Sequence, residues 1–439
     1  MERHTFIGPI IQTNNDGKLI IQKNATLIVE AGKIINVYEN IDDDIKKNDD
    51  DDDDDEKSNV TYLKEGQFLI PGFIDCHIHA VQMPNIGLGY DEPLLDWLEN
   101  YTYPLENKYT DLKFSEKVYD AVVKRTLNVG TTTACYFGSL YDDSTFILAE
   151  KASKYHQRAF VGKINANVFR DDGYFEETNV SIENTKKFID NVLSLNDPLV
   201  QPIITPRFAL SCDMDLLKQL GKLAQEKNLH IQTHVSENLS EIEICKEMFK
   251  DCPTYCNVYE KAGLLTNKTV LAHGIYLQDS ELDLLKKYKT AVIHCPSSNT
   301  YLMSGLCNIQ RLISRGVKVG LGTDVAGGSN PSMLDTIRSA ITVSNHLAHI
   351  HENKPLNYVD LFHLATIGGA KSLGIDDKVG SLTTGKYFDA LLIDMNNHHH
   401  NGPLDNLIDY TLEQQLQRLI YSGDDRNIYQ VFVAGHKVK

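Results

Sequence analysis

The sequence predicts an α/β chain, a (β/α)8 barrel of the TIM type joined to a small β-sandwich domain built from both termini. Three observations lead there. Between residues 71 and 379, eight short apolar runs rich in β-branched residues alternate with amphipathic helical stretches, the pattern of parallel strands joined by helical crossovers. The two ends, residues 1–70 and 380–439, read as short strands punctuated by glycine turns. A length of 439 residues, 42% of them hydrophobic, suits a barrel of roughly 250 to 300 residues with a smaller companion. A doubly wound sheet satisfies the same periodicity, because the pattern does not fix closure.

In chain order, the β-rich N-terminal part includes Ala25-Thr26-Leu27-Ile28-Val29-Glu30 and Lys33-Ile34-Ile35-Asn36-Val37-Tyr38, separated by Ala31-Gly32. That spacing predicts a hairpin. Residues 42–57 then hold eleven acids against three lysines. Such a block repels itself and cannot be buried, so it reads as a disordered surface loop; cation binding is the other reading. The barrel strands are predicted at 73–79, 131–137, 159–165, 200–207, 230–235, 270–275, 291–295 and 317–324. Helices at 214–227 and 280–287 are the clearest of the crossovers. At the C-terminal end, Ala390-Leu391-Leu392-Ile393-Asp394 and the stretch from Tyr429 to Gly435 return to strand texture.

Composition removes several function classes. No run of about 18 apolar residues occurs, so no membrane span is expected. Met1-Glu2-Arg3-His4-Thr5 opens no basic-then-apolar leader. Eight cysteines form no C-x-x-C pair, the nearest approach being Cys252 and Cys256, and they read as reduced thiols of a cytoplasmic protein. The net charge of −17 argues against a nucleic-acid partner, which needs a basic face.

The chemistry starts at Asp75-Cys76-His77-Ile78-His79, after the apolar run from Phe68 to Ile74. Side chains alternate along a strand, so His77 and His79 share a face and Asp75 lies below them. Cys76 is turned away. Two imidazoles on one face can grip a metal ion; alone, the pair reads equally as two ordinary histidines. Later strand ends supply what is needed to choose. Strand five ends in Thr233-His234-Val235-Ser236-Glu237, strand six in Leu271-Ala272-His273-Gly274, and strand eight in Gly322-Thr323-Asp324-Val325. In a barrel these positions converge at the C-terminal mouth. Three imidazoles and one carboxylate make a site for one divalent ion with room left for water.

This order of ligands resembles the amidohydrolase superfamily and, within it, the guanine deaminase family. The resemblance rests on the segment Pro71 to Gln82, on Thr205-Pro206-Arg207-Phe208, on His234-Val235-Ser236-Glu237, on His294-Cys295-Pro296-Ser297-Ser298-Asn299 and on Gly322 to Gly328, with Pro93 to Leu98 and Tyr103-Pro104 in addition. It implies that His77, His79, His234 and Asp324 hold one zinc per subunit, with iron as the alternative metal. It implies that His273 orients the activated water and helps to take its proton, that Asp324 shares in the transfer, and that the water attacks C2 of guanine. Glu237 is then the residue that protonates a ring nitrogen and helps deliver a proton to the departing ammonia, leaving xanthine. Gln82 and Arg207 are implied to hydrogen-bond the polar edge of the base and Phe208 to pack on its face. A homodimer is implied as well.

Two-metal relatives place a carboxylated Lys on strand four; Gln201-Pro202-Ile203-Ile204-Thr205-Pro206-Arg207 has none, so one metal is expected. The H-x-E and P-C-x-x-C signature of the other zinc deaminases is also missing. A second H-x-H, His349-Ile350-His351, falls in the predicted helix 333–351, where i and i+2 point apart, and reads as surface. His398-His399-His400 sits in a polar loop and reads as solvated. His294 reads as packing or support. Residues 84–109, with Trp97 and several tyrosines, read either as a cap that excludes water or as an ordinary packed loop. Two other functions stay open on the residues alone: a mononuclear amidohydrolase acting on an adenine-type nucleoside, cytosine or a triazine, against which Gln82 and Arg207-Phe208 argue, and a non-catalytic barrel scaffold, against which the complete ligand set argues.

Overall fold

The computed structural model describes residues 3–39, 59–396 and 402–439; the acidic stretch and His398-His399-His400 lie outside the described residues. Eight strands form the central sheet: Phe73–His79, Thr131–Phe137, Arg158–Gly162, Val200–Pro206, His230–Val235, Thr269–His273, Ala291–His294 and Lys318–Leu321. Each pairs in parallel with the next. The two-residue strand Ile164–Asn165 adds to strand four. The ring closes just beyond strand eight, where the Asp324 N–H donates to the His77 carbonyl at 2.8 Å and the His79 N–H to the Val325 carbonyl at 3.0 Å. Closure therefore runs through two of the residues that carry the chemistry.

The crossovers follow from their sequence. Helix Met214–Lys227 starts where the Asp213 carboxylate accepts the Leu216 N–H, satisfying one of the four free N–H groups of a first turn. It stops at Asn228, in the left-handed region at φ 55°. Leu216, Leu217, Leu220, Leu223 and Ala224 are its buried face, each leucine contributing about 1.5–3 kcal/mol by burial. The helix predicted at 280–287 is Asp279–Tyr288, with Gln278 and Glu281 forming a capping box. Strand eight is shorter than 317–324 because the chain leaves it after Leu321 to make the turn that aims Asp324 inward.

Both termini share one mixed sheet of eight strands. Gln67–Pro71, which leads straight into barrel strand one, pairs antiparallel with Ala390–Asp394 on one side and meets His4–Thr13 on the other. The predicted hairpin joins Leu19–Glu30 to Lys33–Glu39, and both turn residues have positive φ, Ala31 at 48° and Gly32 at 79°, as a two-residue turn matching strand twist requires. Phe6, Ile10, Leu27, Leu69, Leu392 and Phe432 build its core. A buried pair ties it to the barrel: Arg158 Nε and Nη2 donate to Asp389 Oδ2 and Oδ1 at 3.0 and 3.1 Å.

Candidate active site

The strand ends bring the predicted residues together. His79 Nε2 lies 3.1 Å from His234 Nε2. Asp324 Oδ1 lies 3.0 Å from His77 Nε2 and 3.4 Å from His79 Nε2. One ligand atom from each of His77, His79, His234 and Asp324 falls within 4.8 Å of the others. The side chains are held for this. The His234 Nδ1–H donates to the Arg207 carbonyl at 2.6 Å, which leaves the Nε2 lone pair facing inward, as a metal-binding imidazole needs. Apart from the 3.0 Å approach of Asp324 Oδ1, His77 Nε2 has no partner among the described residues. Asp75 stands beneath: its Oδ1 accepts the His77 and Thr323 N–H groups at 3.2 and 3.0 Å, and its Oδ2 accepts the Thr323 hydroxyl at 2.5 Å. It thereby clamps strand one to the turn that carries Asp324, which sits at φ 47°.

Electrostatics suit a cation. Burial drives the pKa of His77, His79 and His234 down, neighbouring imidazoles push the same way, and Asp324 opposes. Burial alone would raise Asp324, but the imidazoles around it, His77 foremost, hold it well below the carboxylate range. Three neutral ring nitrogens and one carboxylate converge, the donor set of a mononuclear divalent site. A second set exchanges His79 and His234 for His273 and Cys295. Burial keeps the Cys295 thiol protonated, and a protonated thiol is a poor ligand, so the three-histidine set fits better. The buried lysine at the end of strand three, Lys163, donates to Glu176 at 2.5 Å and to the Ile164 carbonyl at 3.1 Å.

His273, at φ 74°, is set differently. Its Nδ1–H donates to Asn299 Oδ1 at 2.7 Å, and its Nε2 faces Glu237 Oε2 at 3.3 Å and Asp324 Oδ2 at 3.8 Å. Burial opposes its charge, yet the two carboxylates outweigh burial and raise its pKa. Burial pushes Glu237 up to about 8, with Asp324 and Glu241 adding to it and His273 opposing.

A cavity opens on these groups, with the apolar walls and few convergent polar side chains typical of small-molecule sites. Of the nine predicted residues, all but His77 line it: His79, Gln82, Arg207, Phe208, His234, Glu237, His273 and Asp324. Leu94, Trp97, Leu98 and Leu302 complete its apolar wall. Residues 84–109 thus reach the cavity as a chain of short helical turns, with Trp97 buried and its Nε1–H donated to the Leu88 carbonyl at 2.9 Å.

One residue there escaped the sequence reading. Glu106 is fully buried; its Oε1 accepts the Gln82 Nε2–H at 3.0 Å and its Oε2 accepts Arg207 Nη1–H at 2.5 Å and the Tyr174 hydroxyl. The signal was an acid amid Tyr103, Leu105 and Tyr109, all buried. Asn299, just after strand seven, is a second such residue, since nothing in the sequence ties it to His273. Elsewhere, Cys76 points outward, its thiol on the Gly369 carbonyl at 3.7 Å. His294 is buried with no partner among the described residues on either ring nitrogen, its pKa lowered by burial to about 3. His349 and His351 are exposed on helix Met333–His351.

Comparison with known proteins agrees with this geometry. The amidohydrolase family matches residues 68–438. Guanine deaminase of Dictyostelium discoideum is 41% identical over 99% of this chain and 98% of its own length; that of Homo sapiens is 44% identical over 86% of this chain and 84% of its own. The crystal structure of guanine deaminase from C. acetobutylicum, with guanine bound in its active site, superposes over the whole of both chains with a TM-score of 0.90 at 35% identity.

Proposed function

The chain belongs to the amidohydrolase family, and from that premise we propose that its reaction is the hydrolytic deamination of guanine to xanthine and ammonia. One observation carries this reading: a single cavity holds a metal-type donor set beside Gln82, Arg207 and Phe208, the chemistry needed to activate water next to the groups needed to grip a flat polar base. The likeness in sequence and structure to guanine deaminases supports it.

His77, His79, His234 and Asp324 would hold one divalent ion, zinc in the first place and iron as the alternative. Bound there, the metal would supply Lewis acidity and bring the pKa of a coordinated water from ~16 towards ~7. The rest falls to the chain's own side chains. Gln82 and Arg207 hydrogen-bond the polar edge of guanine, Phe208 covers its face, and Trp97, Leu94 and Leu98 exclude bulk water, which strengthens every polar contact inside. His273 Nε2 accepts a proton from the attacking water. Glu237, whose carboxyl burial pushes towards the protonated form against the pull of His273, donates to a ring nitrogen. As the C2–O bond forms and the C2–N bond breaks, the proton taken by His273 passes to Glu237, 3.3 Å away, replacing the one given to the ring, and the second water proton leaves in ammonia. Glu237 and Asp324, both facing His273 Nε2, pass the second in this reading. A homodimer in the cytoplasm belongs to the same reading; among the described residues no helix is long and apolar enough to cross a membrane.

Ammonia release from a panel of guanine, adenine, adenosine, cytosine and a triazine, on metal-quantified protein, tests the reading. Guanine is expected to be turned over fastest by far. A preference for another base overturns the assignment, and a metal content near zero with no turnover favours a scaffold.

A further inference from the structure

We propose that Glu106 is a positioning residue for base selection: its one carboxylate fixes Gln82 and Arg207 together and cancels the charge of Arg207, so that the site favours a neutral purine and releases an acidic product. The inference rests on the guanine reading above and says how that site discriminates.

Glu106 does not line the cavity, whereas Gln82 and Arg207 do. It touches both from behind, Gln82 Nε2 at 3.0 Å and Arg207 Nη1 at 2.5 Å. Gln82 is held at its other end too, because its Oε1 accepts the Ala326 N–H at 3.3 Å. The amide therefore cannot flip without losing both bonds, and its donor and acceptor faces are set before a base arrives. Arg207 is 3% exposed and Glu106 fully buried. A buried guanidinium without a counter-charge is costly and attracts anions; with Glu106 the pair is neutral. The other groups facing the guanidinium are the rings of Tyr103 and Tyr174, whose centroids lie 5.0 and 5.9 Å from Cζ. Beyond Tyr103 lies Arg170, itself paired with Glu99 and Asp172. The remaining ionisable groups of the cavity are Glu237, Asp324 and the imidazoles of His79, His234 and His273.

The chemistry of the two purines gives this arrangement a consequence. Guanine is neutral at neutral pH. Xanthine, with a second ring carbonyl, is a stronger N–H acid and ionises close to neutrality. An Arg207 left without Glu106 would bind the xanthine anion and slow its release. Paired with Glu106, it offers hydrogen bonds without net charge, and the anion gains nothing from Arg207.

Steady-state kinetics with guanine and inhibition by xanthine, below and above the first ionisation of xanthine, test this on the full-length metal-loaded protein. The unaltered protein must first release ammonia from guanine; failure there is failure of the functional reading and not of this one. In Glu106→Gln the KM for guanine is expected to rise about tenfold or more, kcat to change much less, and xanthine inhibition to tighten as pH rises. An unchanged pH trend in xanthine inhibition overturns the proposal whatever happens to KM, because a merely structural role would move KM alone. Should Glu106→Gln not fold, the unaltered protein decides: its inhibition by xanthine is expected to weaken with rising pH, and tightening there overturns the proposal.

Discussion

Replacing Asn299 with leucine removes the side-chain amide, and with it the acceptor, while keeping a branched if somewhat bulkier side chain. Asn299 is 1% exposed on the short helix Pro296–Tyr301. Its Oδ1 is the partner of His273 Nδ1 at 2.7 Å, and its backbone carbonyl accepts the N–H groups of Ser304 and Gly305 at 2.9 and 3.0 Å, which the substitution keeps. With the amide oxygen in place, the imidazole carries its proton on Nδ1 and turns a bare Nε2 towards Glu237 and Asp324. Without it, the ring is free to rotate and to take the other tautomer. A hydrogen bond to a group that becomes charged is worth ~1.5–3 kcal/mol, and His273 becomes charged whenever it takes a proton. That energy corresponds to roughly a ten- to hundredfold loss in rate, the range found for groups that orient a catalytic or metal-binding imidazole. The assay is kcat/KM for ammonia release together with metal content. Asn299→Leu is expected to keep its metal and fold and to lose kcat in that range. Activity within about twofold of the unaltered protein would refute the reasoning that His273 works through a fixed tautomer. Loss of metal in proportion to activity would make Asn299 a support of the metal site instead.

Glu237→Gln is expected to keep metal and fold while kcat falls by about 10²–10⁴; near-normal turnover removes Glu237 from the proton path. Treatment with a chelator is expected to lower Tm, since an ion present at ~100 times its Kd stabilises by about 2.7 kcal/mol. Restoring activity with zinc against ferrous iron identifies the working metal, and an unchanged Tm would contradict the ligand set. His230 donates from Nε2 to the Leu373 carbonyl at 2.8 Å, and burial lowers its pKa to about 4. Its contribution is complete above the unfolded value of ~6.5 and is lost as pH falls through about 4, worth at most ~3 kcal/mol. His230→Gln is expected to flatten that acid limb in denaturant titrations, and an unaltered slope would count against it.

Much of the barrel was legible because its strands are buried on both faces. Such strands read as continuous apolar, β-branched runs, and Phe73–His79, Thr131–Phe137 and His230–Val235 coincide with the expected bounds. The deviations lie where a side chain or a turn overrides propensity. The run expected at 159–165 breaks at Lys163, whose ammonium turns aside to Glu176. Strand eight stops at Leu321 because Asp75 captures both the N–H and the hydroxyl of Thr323, a contact between residues 248 apart in sequence. The metal-type donors were legible for the same reason as the strands. Alternation fixes which of Asp75, Cys76 and His77 face together, and ladder register does the rest.

Glu106 and Asn299 were hidden for a different reason. Each acts on a residue far along the chain, Gln82 and Arg207 for the first and His273 for the second, from segments with no strand or long-helix periodicity to place them. A lone acid in a loop usually faces water, and only tertiary contact shows that this one is buried against a guanidinium. The same logic explains how the centre can exist at all. Packing His77, His79, His234 and His273 into a dry barrel mouth would be self-repelling if the rings were charged. The fold avoids that cost by keeping the three candidate ligands neutral through burial and by setting the fourth imidazole, His273, against two carboxylates. Local consistency is given up at these few positions, where backbone φ turns positive at His273 and Asp324, and strained backbone of this kind is what functional centres hold when the surrounding structure over-determines it.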